Sequence, residues 1–320
     1  MIDRPMDILR DFPIRKTKQQ KQAFRKEICS YLSSIGYESH IENGKLGAKN
    51  IVFGNPETAQ YLVTAHYDTP AALPFPNLIT PCNLLPFIGY QLAISVLLFL
   101  IALIPGLILV QFGLSARAAS RIWLLSLYGL LALMLIGPAN KHNANDNTSG
   151  VVTLLEIAKS MPEMYRDRVC FVLFDLEEAG LIGSSSYRKL HKTQTDKQLV
   201  LNLDCVGDGD YLMMFPTKKL LGNTSKIELL RKITGQYGRK SMAIREKGFA
   251  HYPSDQKHFP YGVGIAAFHR SSRVGLYCSR IHTKKDTILE ETNVNILRAA
   301  IVSLITCGAV TRKENWNETV

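Results

Sequence analysis

Residues 169–184 read VCFVLFDLEEAGLIGS: six uninterrupted apolar residues, then Asp175, then the adjacent pair Glu177 and Glu178 opening a helical pattern over 179–191. An apolar run of strand length without polar alternation is the pattern of a strand buried on both faces, as in parallel sheets. Comparable runs stand at 50–53, 60–65, 199–203, 211–215 and 263–268, each bounded by Gly, Pro, Asn or Asp. Helical patterns lie at 149–160, 179–191, 225–237 and 293–309, and a further one over 17–36 lines up Phe24, Ile28, Tyr31, Leu32 and Ile35. This alternation predicts an α/β fold, a mostly parallel mixed sheet covered by helices on both faces.

A different pattern interrupts the alternation. Between Asp68 and Arg117 no charged residue intervenes, and from Ile122 to Asn140 there is again none. Residues 84–114 (LLPFIGYQLAISVLLFLIALIPGLILVQFGL) are apolar almost throughout, broken by Pro86, Gln91 and the Pro105–Gly106 pair. Residues 122–136 (IWLLSLYGLLALMLI) are apolar up to Gly137–Pro138. The first run exceeds the roughly 20 residues that span hydrocarbon, and the second reaches that length only if its helix starts near Ala118. Residues 84–137 therefore predict an inserted transmembrane-like α-helical hairpin that contacts the lipid bilayer. The alternatives are a pair of buried core helices, a hydrophobic lid, or a re-entrant element.

Lys and Arg number 38 against 27 Asp and Glu, a formal net charge of +11, and such a balance first suggests nucleic acid. The basic residues are dispersed, however, and the sequence has no zinc-finger spacing, RNP motif or helix-turn-helix, so nucleic acid is not an expected partner. The one dense run, Arg15, Lys16, Lys18, Lys21, Arg25 and Lys26, reads as the solvated face of a helix or a patch facing anionic lipid. Six cysteines (Cys29, Cys82, Cys170, Cys205, Cys278 and Cys307) form no CxxC pair, and four sit in apolar stretches. They are expected as reduced thiols packed as small hydrophobes. Residues 1–10 carry Asp3, Arg4, Asp7 and Arg10 without an apolar h-region, so no secretory signal peptide is expected.

The chemistry stands on either side of the hairpin. Before it comes AHYDTP, with His66 and Asp68 two residues apart at a strand end, so both side chains leave the chain on one side. That is the arrangement of a metal-binding imidazole whose second nitrogen a carboxylate orients. After it comes NANDNTSGVV, where Asp146 alone reads as a helix N-cap. Adjacent carboxylates in a strand-to-helix turn point in different directions, so one of Glu177 and Glu178 can bind a metal while the other accepts a proton from water. LVLNLDCVG ends on Asp204, by itself a turn or cap residue, and SRIHTKKDT offers His282, by itself a surface histidine. Four of these five features fall where open α/β sheets build their sites, at strand ends and helix starts. Two histidines and three carboxylates suit two zinc-like divalent ions sharing one carboxylate, with Glu177 left over as the base.

With HYDTP, NDNTSG, FDLEEAGLIGS, NLD and the late IHT in this order, the sequence from about Asn50 onward resembles the zinc peptidase family that includes bacterial leucyl aminopeptidases, glutamate carboxypeptidase, the transferrin receptor and glutaminyl cyclases. The resemblance implies two zinc or other divalent ions per chain, with Asp146 bridging them. His66 and Asp204 would complete one site, Glu178 and His282 the other, with Glu177 the general base and Asp68 the partner of His66. It also implies a cis peptide at Asp146–Asn147. The implied reaction is that of an aminopeptidase, releasing the N-terminal residue of a peptide substrate. A glutaminyl-peptide cyclase using one zinc, or a non-catalytic receptor-like member, are the alternatives on the same scaffold. The implied organisation is a single α/β metallopeptidase domain of residues 1–83 and 138–320, with 1–49 a basic amphipathic N-terminal helix region and 84–137 the inserted hairpin.

The chain departs from the family pattern at Asn145, where relatives often carry an acid, at Gln256 in YPSDQKHF, where histidine is common, and at Lys284, where proline is frequent. The larger departure is the hairpin itself, since this region is short in the secreted enzymes. Its topology is read from two opposed signals. Arg117 and Arg121 in the connecting loop favour a cytoplasmic loop by the positive-inside rule. The long basic segment ahead of Leu84 and the unpaired cysteines favour a cytoplasmic catalytic domain, and the expectation is a membrane-associated protein of that second orientation.

Overall fold

The computed structural model describes residues 2–307. Ten strands form one mixed sheet: β1 (Ser39–Asn43), β2 (Lys49–Gly54), β3 (Tyr61–His66), β4 (Val169–Phe174), β5 (Leu199–Leu203), β6 (Tyr211–Pro216), β7 (Gly235–Tyr237), β8 (Lys240–Ile244), β9 (Gly262–Ser271) and β10 (Gly275–Tyr277). Their order is β1-β2-β4-β3-β5-β9-β6-β8-β7, with β10 paired to β9. The centre, β4-β3-β5-β9, is parallel; the flanks join it antiparallel at β2–β4 and β6–β9, and within one flank β6 and β8 again pair parallel.

Strands β3, β4 and β5 are buried along their whole length because both faces carry helices. Phe53, Val63, Phe171, Leu173 and Leu201 point to one layer, formed by the helices Lys18–Ser34, Gly150–Ser160 and Glu291–Cys307. The alternate residues Val52, Leu62, Val172, Phe174 and Val200 point to the other, where Tyr187 of the helix Ile182–Leu190 and Phe259 cover them. Phe53 and Phe171 stack at 4.9 Å between ring centroids. The turn from β4 into Ile182–Leu190 is tight: a Cβ at Gly183 would lie 2.2 Å from the Asp175 carbonyl oxygen. Glycine is therefore required in GLIGS for the helix to pack down on the strand ends.

The N-terminal helix starts on a reciprocal cap, with Thr17 Oγ1 accepting from the Gln20 amide and Gln20 Oε1 accepting from the Thr17 amide. It buries Phe24, Ile28, Tyr31 and Leu32, as its periodicity predicts. Its basic run is not a solvated face. Arg15 is fully buried, and Lys21 and Arg25 are buried in an ion-pair cluster with Asp175; among the run's members only Lys18 and Lys26 are exposed and Lys16 is half-buried. The helical pattern over 225–237 is also shorter than its periodicity. The helix spans Thr224–Arg231, and at Gly235 the chain enters an edge strand that turns back at Gly238. Of the helix expected at 293–309, residues up to Cys307 are described and the last two lie outside the described residues.

The two apolar runs form helices Leu84–Gln111 and Ala116–Ile136, the first continuing through Pro105. They pack on each other. Phe99 meets Trp123 edge-on at 5.0 Å, and Gly106 admits the Ala119 carbonyl so closely that a Cβ would stand 2.9 Å from it. They are not core helices, since only Ala102 and Gly106 of the two are buried. Both are long and apolar enough to cross a membrane.

Candidate metal centre

His66, Asp68, Asp146, Glu177, Glu178, Asp204 and His282 come together at the carboxyl ends of β3, β4 and β5. His66 ends β3 and Asp204 follows β5, so parallel pairing of the two strands sets them side by side. Asp146 lies in the turn that leads into Gly150–Ser160, and its peptide bond to Asn147 is cis. Asn147 laces this turn to the strand ends: its Nδ2 donates to the Leu203 carbonyl, and its Oδ1 accepts from Gly150 and Cys205. Asn145, where the family resemblance leads one to expect an acid, uses its Oδ1 as acceptor for the Gly207 and Asp208 amides. A carboxylate there would retain those acceptor contacts but add another negative charge to an acidic cluster.

Asp146 is the centre of the geometry. Its Oδ1 lies 3.3 Å from His66 Nε2 and its Oδ2 lies 2.9 Å from His282 Nε2, one histidine to each oxygen. Asp204 approaches the first histidine, at 3.7 Å, and Glu178 the second, at 3.6 Å. Glu177 groups with His66 and Asp204, whereas Glu178 groups with His66 and Asp146, so the adjacent glutamates do diverge. What aims them is Asp68. Its two oxygens accept the backbone amides of Glu177 and Glu178 at 3.0 and 3.2 Å, while its Oδ1 stands 3.6 Å from His66 Nδ1. One carboxylate thus sets both the imidazole and the glutamate turn.

Three backbone positions here carry a left-handed φ on a non-glycine residue: Leu176 at 57°, Cys205 at 58° and His282 at 61°. Each such position costs about 1–2 kcal/mol and stands at, or next to, a group that faces the centre. Asp286 carries the bend at 145–146, accepting the Asn145 and Asp146 amides at 2.7 and 3.0 Å.

The electrostatics fit a cation site. Burial pushes Glu177 well above the carboxylate range, with His66 opposing and Glu178, Asp255 and Asp204 adding to it. Burial likewise lifts Glu178 to about 8, against His282 and reinforced by Asp146. Asp146 is held low, because hydrogen bonds from His282 and His66 overcome its burial. His282 is raised to about 9: burial opposes its charge, but Glu178 and Asp146 favour it. Glu178 Oε1 is buried with no hydrogen-bond partner. Glu177 and Glu178, driven toward their neutral forms beside Asp146 and two imidazoles, belong to a donor set that positive charge at its centre would stabilise.

Two residues belong to this site without having been singled out from sequence. Arg15 sends Nε to the Tyr67 carbonyl and Nη2 to Thr148 Oγ1, at 3.1 Å for the latter, fastening the strand end that bears His66 to the turn that bears Asp146. Asp255 is completely buried and its carboxyl is lifted to about 7 by burial, opposed by His66 and the Ser184 hydroxyl and reinforced by Asp204 and Asp68. The only signal for Asp255 was its place in YPSDQKHF. Gln256, beside it, is occupied structurally, donating to the Tyr252 carbonyl and accepting from Asn202.

No curated protein sequence matches this chain. Among solved structures, a glutaminyl cyclase of Porphyromonas gingivalis is similar with a TM-score of 0.59 and 14% identity, over 96% of this chain and 98% of its own. An aminopeptidase of Legionella pneumophila gives 0.56 and 13%, over 95% of this chain and 69% of its own. A Zn-dependent exopeptidase of Parabacteroides distasonis gives 0.55 and 15%, over 94% of each chain. These likenesses establish the fold. The sequence profile of Peptidase family M28 matches residues 133–304, a stretch that begins at the end of the second hairpin helix and holds Asp146, Glu177, Glu178, Asp204 and His282. With that match and the shared fold together, the chain belongs to peptidase family M28.

Proposed function

We propose that this protein is a membrane-anchored metallo-aminopeptidase with two divalent ions, zinc first among them, per chain. The observation that carries the reading is the division of Asp146, one oxygen to each histidine, with a further carboxylate beside each. His66 and Asp204 would hold one ion, Glu178 and His282 the other, and Asp146 both. Bound there, such a pair acidifies a water and polarises the scissile carbonyl.

The chain's own residues do the rest. Glu177 lies on the His66–Asp204 side and is left over from both ligand sets, so it is free to take a proton from the attacking water and deliver it to the leaving amine. Asp68 positions it through its amide. Arg15 and Asp286 hold the strand end and the Asp146 turn in register. Residues 1–83 and 138–320 act as one catalytic unit, and 84–137 anchor it in a bilayer with that unit on the cytoplasmic side.

The test is release of the N-terminal residue from a panel of aminoacyl fluorogenic amides by the purified full-length chain, with and without chelator, beside a metal count. Turnover that chelation abolishes, with two ions per chain, is the expected result. One ion per chain together with cyclisation of N-terminal glutamine would instead select the cyclase reading, and neither activity would remove both.

A further inference from the structure

The hairpin and the metal centre are on the same end of the sheet, and the hairpin's legs stand on the loops that carry the site. The outgoing leg donates the Leu73 amide to the His282 carbonyl at 2.7 Å. The returning leg places Asn140 Nδ2 on the Thr283 carbonyl at 3.0 Å, and the legs pair with each other at Ala71 and Ala139. On the other side, Lys16 Nζ donates to the Leu135 carbonyl at the end of the second helix, and its neighbour Arg15 contacts Tyr67, between His66 and Asp68, and Thr148. A helix of 21 residues is about 31 Å long, one hydrocarbon thickness. If it spans, Leu135 lies at the bilayer surface, and Lys16 with its neighbour Arg15 links it to the strand end that bears His66 and the turn that bears Asp146.

The segments around the hairpin base have the charge of a headgroup-facing surface. Lys141, Lys247, Arg273, Lys284 and Lys285 are exposed there. Lys141 is on the returning leg. Lys247 is in the loop whose His251 donates its amide to the Pro81 carbonyl and rests against Phe87. Arg273 precedes Val274, whose carbonyl accepts from Asn83. Lys284 and Lys285 follow His282 within the same loop. From Thr69 to Asn145 the chain has no Asp or Glu. Among the acids on the other segments, Glu246 is paired with Arg231 and Asp286 is buried beneath the Asp146 turn.

We propose that the mouth of the site is held against the membrane interface, and that its substrates are peptides whose free N-terminus lies at an anionic bilayer surface, amphipathic or lipid-anchored chains rather than fully soluble ones. This rests on the aminopeptidase and anchor readings of the preceding subsection. Cationic side chains beside an apolar anchor gain from anionic headgroups, and a substrate confined to that surface meets the site at a raised effective concentration.

The experiment uses the full chain reconstituted into mixed phosphatidylcholine and phosphatidylglycerol vesicles, and three peptides with the same N-terminal sequence. One has no anchor, one carries a palmitoyl group behind a four-residue spacer, which reaches at most about 14 Å, and one behind a twenty-residue spacer, which reaches up to about 70 Å. The short-spacer peptide should be cleaved within about threefold of the long-spacer one, and both should exceed the free peptide by tenfold or more as surface confinement provides. Hydrogen exchange should also show 137–142, 247–251 and 283–285 more protected in these vesicles than in detergent. Cleavage of the free and long-spacer peptides without the short-spacer one, or identical exchange in vesicles and detergent, would overturn the inference while leaving the aminopeptidase standing. Failure to cleave even the free peptide would remove that reading and this one with it.

Discussion

In the sheet, Phe171, Val172 and Leu173 are wholly buried between two helical layers; in the hairpin, Leu92, Leu107 and Leu125 are 61%, 61% and 71% exposed. The two regions use the same residue types and differ in what surrounds them. Each central strand finds apolar cover within the chain. The first hairpin helix has no charged residue and the second has none after Arg121, and each covers only part of the other's apolar surface, so the remainder is what the proposed bilayer would cover. What separates the regions is therefore the availability of cover and not hydrophobicity as such.

That separation should survive single substitutions on either side. Glu177→Gln is expected to have the largest effect, a loss of about 10²–10⁴ in hydrolysis, while bound metal and vesicle association stay as in the wild type. Near-normal turnover would move the base elsewhere. Asp146→Ala should bring metal content below two ions per chain, measured by atomic emission, because in the proposed site two cations would lose the anion they share. Leu125→Arg strikes the other region. An arginine at the middle of a spanning helix costs about 2.5–3.5 kcal/mol on insertion scales, so vesicle flotation should fall sharply with metal content preserved. Flotation unchanged by that substitution would mean that the helix lies on the membrane instead of across it.

Smaller effects test how the basic run joins the two regions. Arg15→Ala should destabilise the fold by about 2–4 kcal/mol in denaturant titration, since it strips a buried cation from several acceptors. Lys18→Ala, exposed in the same run, should stay within about 0.5 kcal/mol. Metal affinity should rise with pH between about 6 and 9. In the metal-free chain His282, raised to about 9, and Glu178, raised to about 8, both carry protons at pH 7 and must release them to become ligands. Calorimetry in buffers of differing ionisation enthalpy should record that release, and proton uptake would reverse the sign argued here.

Much of this architecture was legible in the sequence because it depends on local pattern. The apolar strands at 169–174 and 199–203 needed only continuous hydrophobicity, and the seven candidate residues that the structure brings together stood in short motifs, His66, Asp68, Glu177, Glu178 and Asp204 at strand ends and Asp146 and His282 in loops. What was hidden depends on partners distant in the chain. Arg15, Lys21 and Arg25 look like surface charge until Asp175, Tyr67 and Thr148 are brought beneath them. Asp255 carries no local mark of its burial against the site. The edge strand at Gly235–Tyr237 continues a helical periodicity in sequence, and there the glycines flanking Gln236–Tyr237 decide the backbone where the apolar spacing does not.

The pairing of Ala71 with Ala139 returns the chain to the point from which it left. Seen from the strands, the long excursion between His66 and Asp146 has the geometry of a short turn, and its length enters the folding of the sheet only through a slowly growing closure entropy. Up to Asn83 the outgoing leg still bonds the loops at His282, Cys278, His251 and Val274, and what lies beyond those contacts is exchangeable. The same hydrolytic unit could be sent to a bilayer, to another scaffold, or into free solution by replacing what is plugged into one socket, with the register of the strands below unaltered.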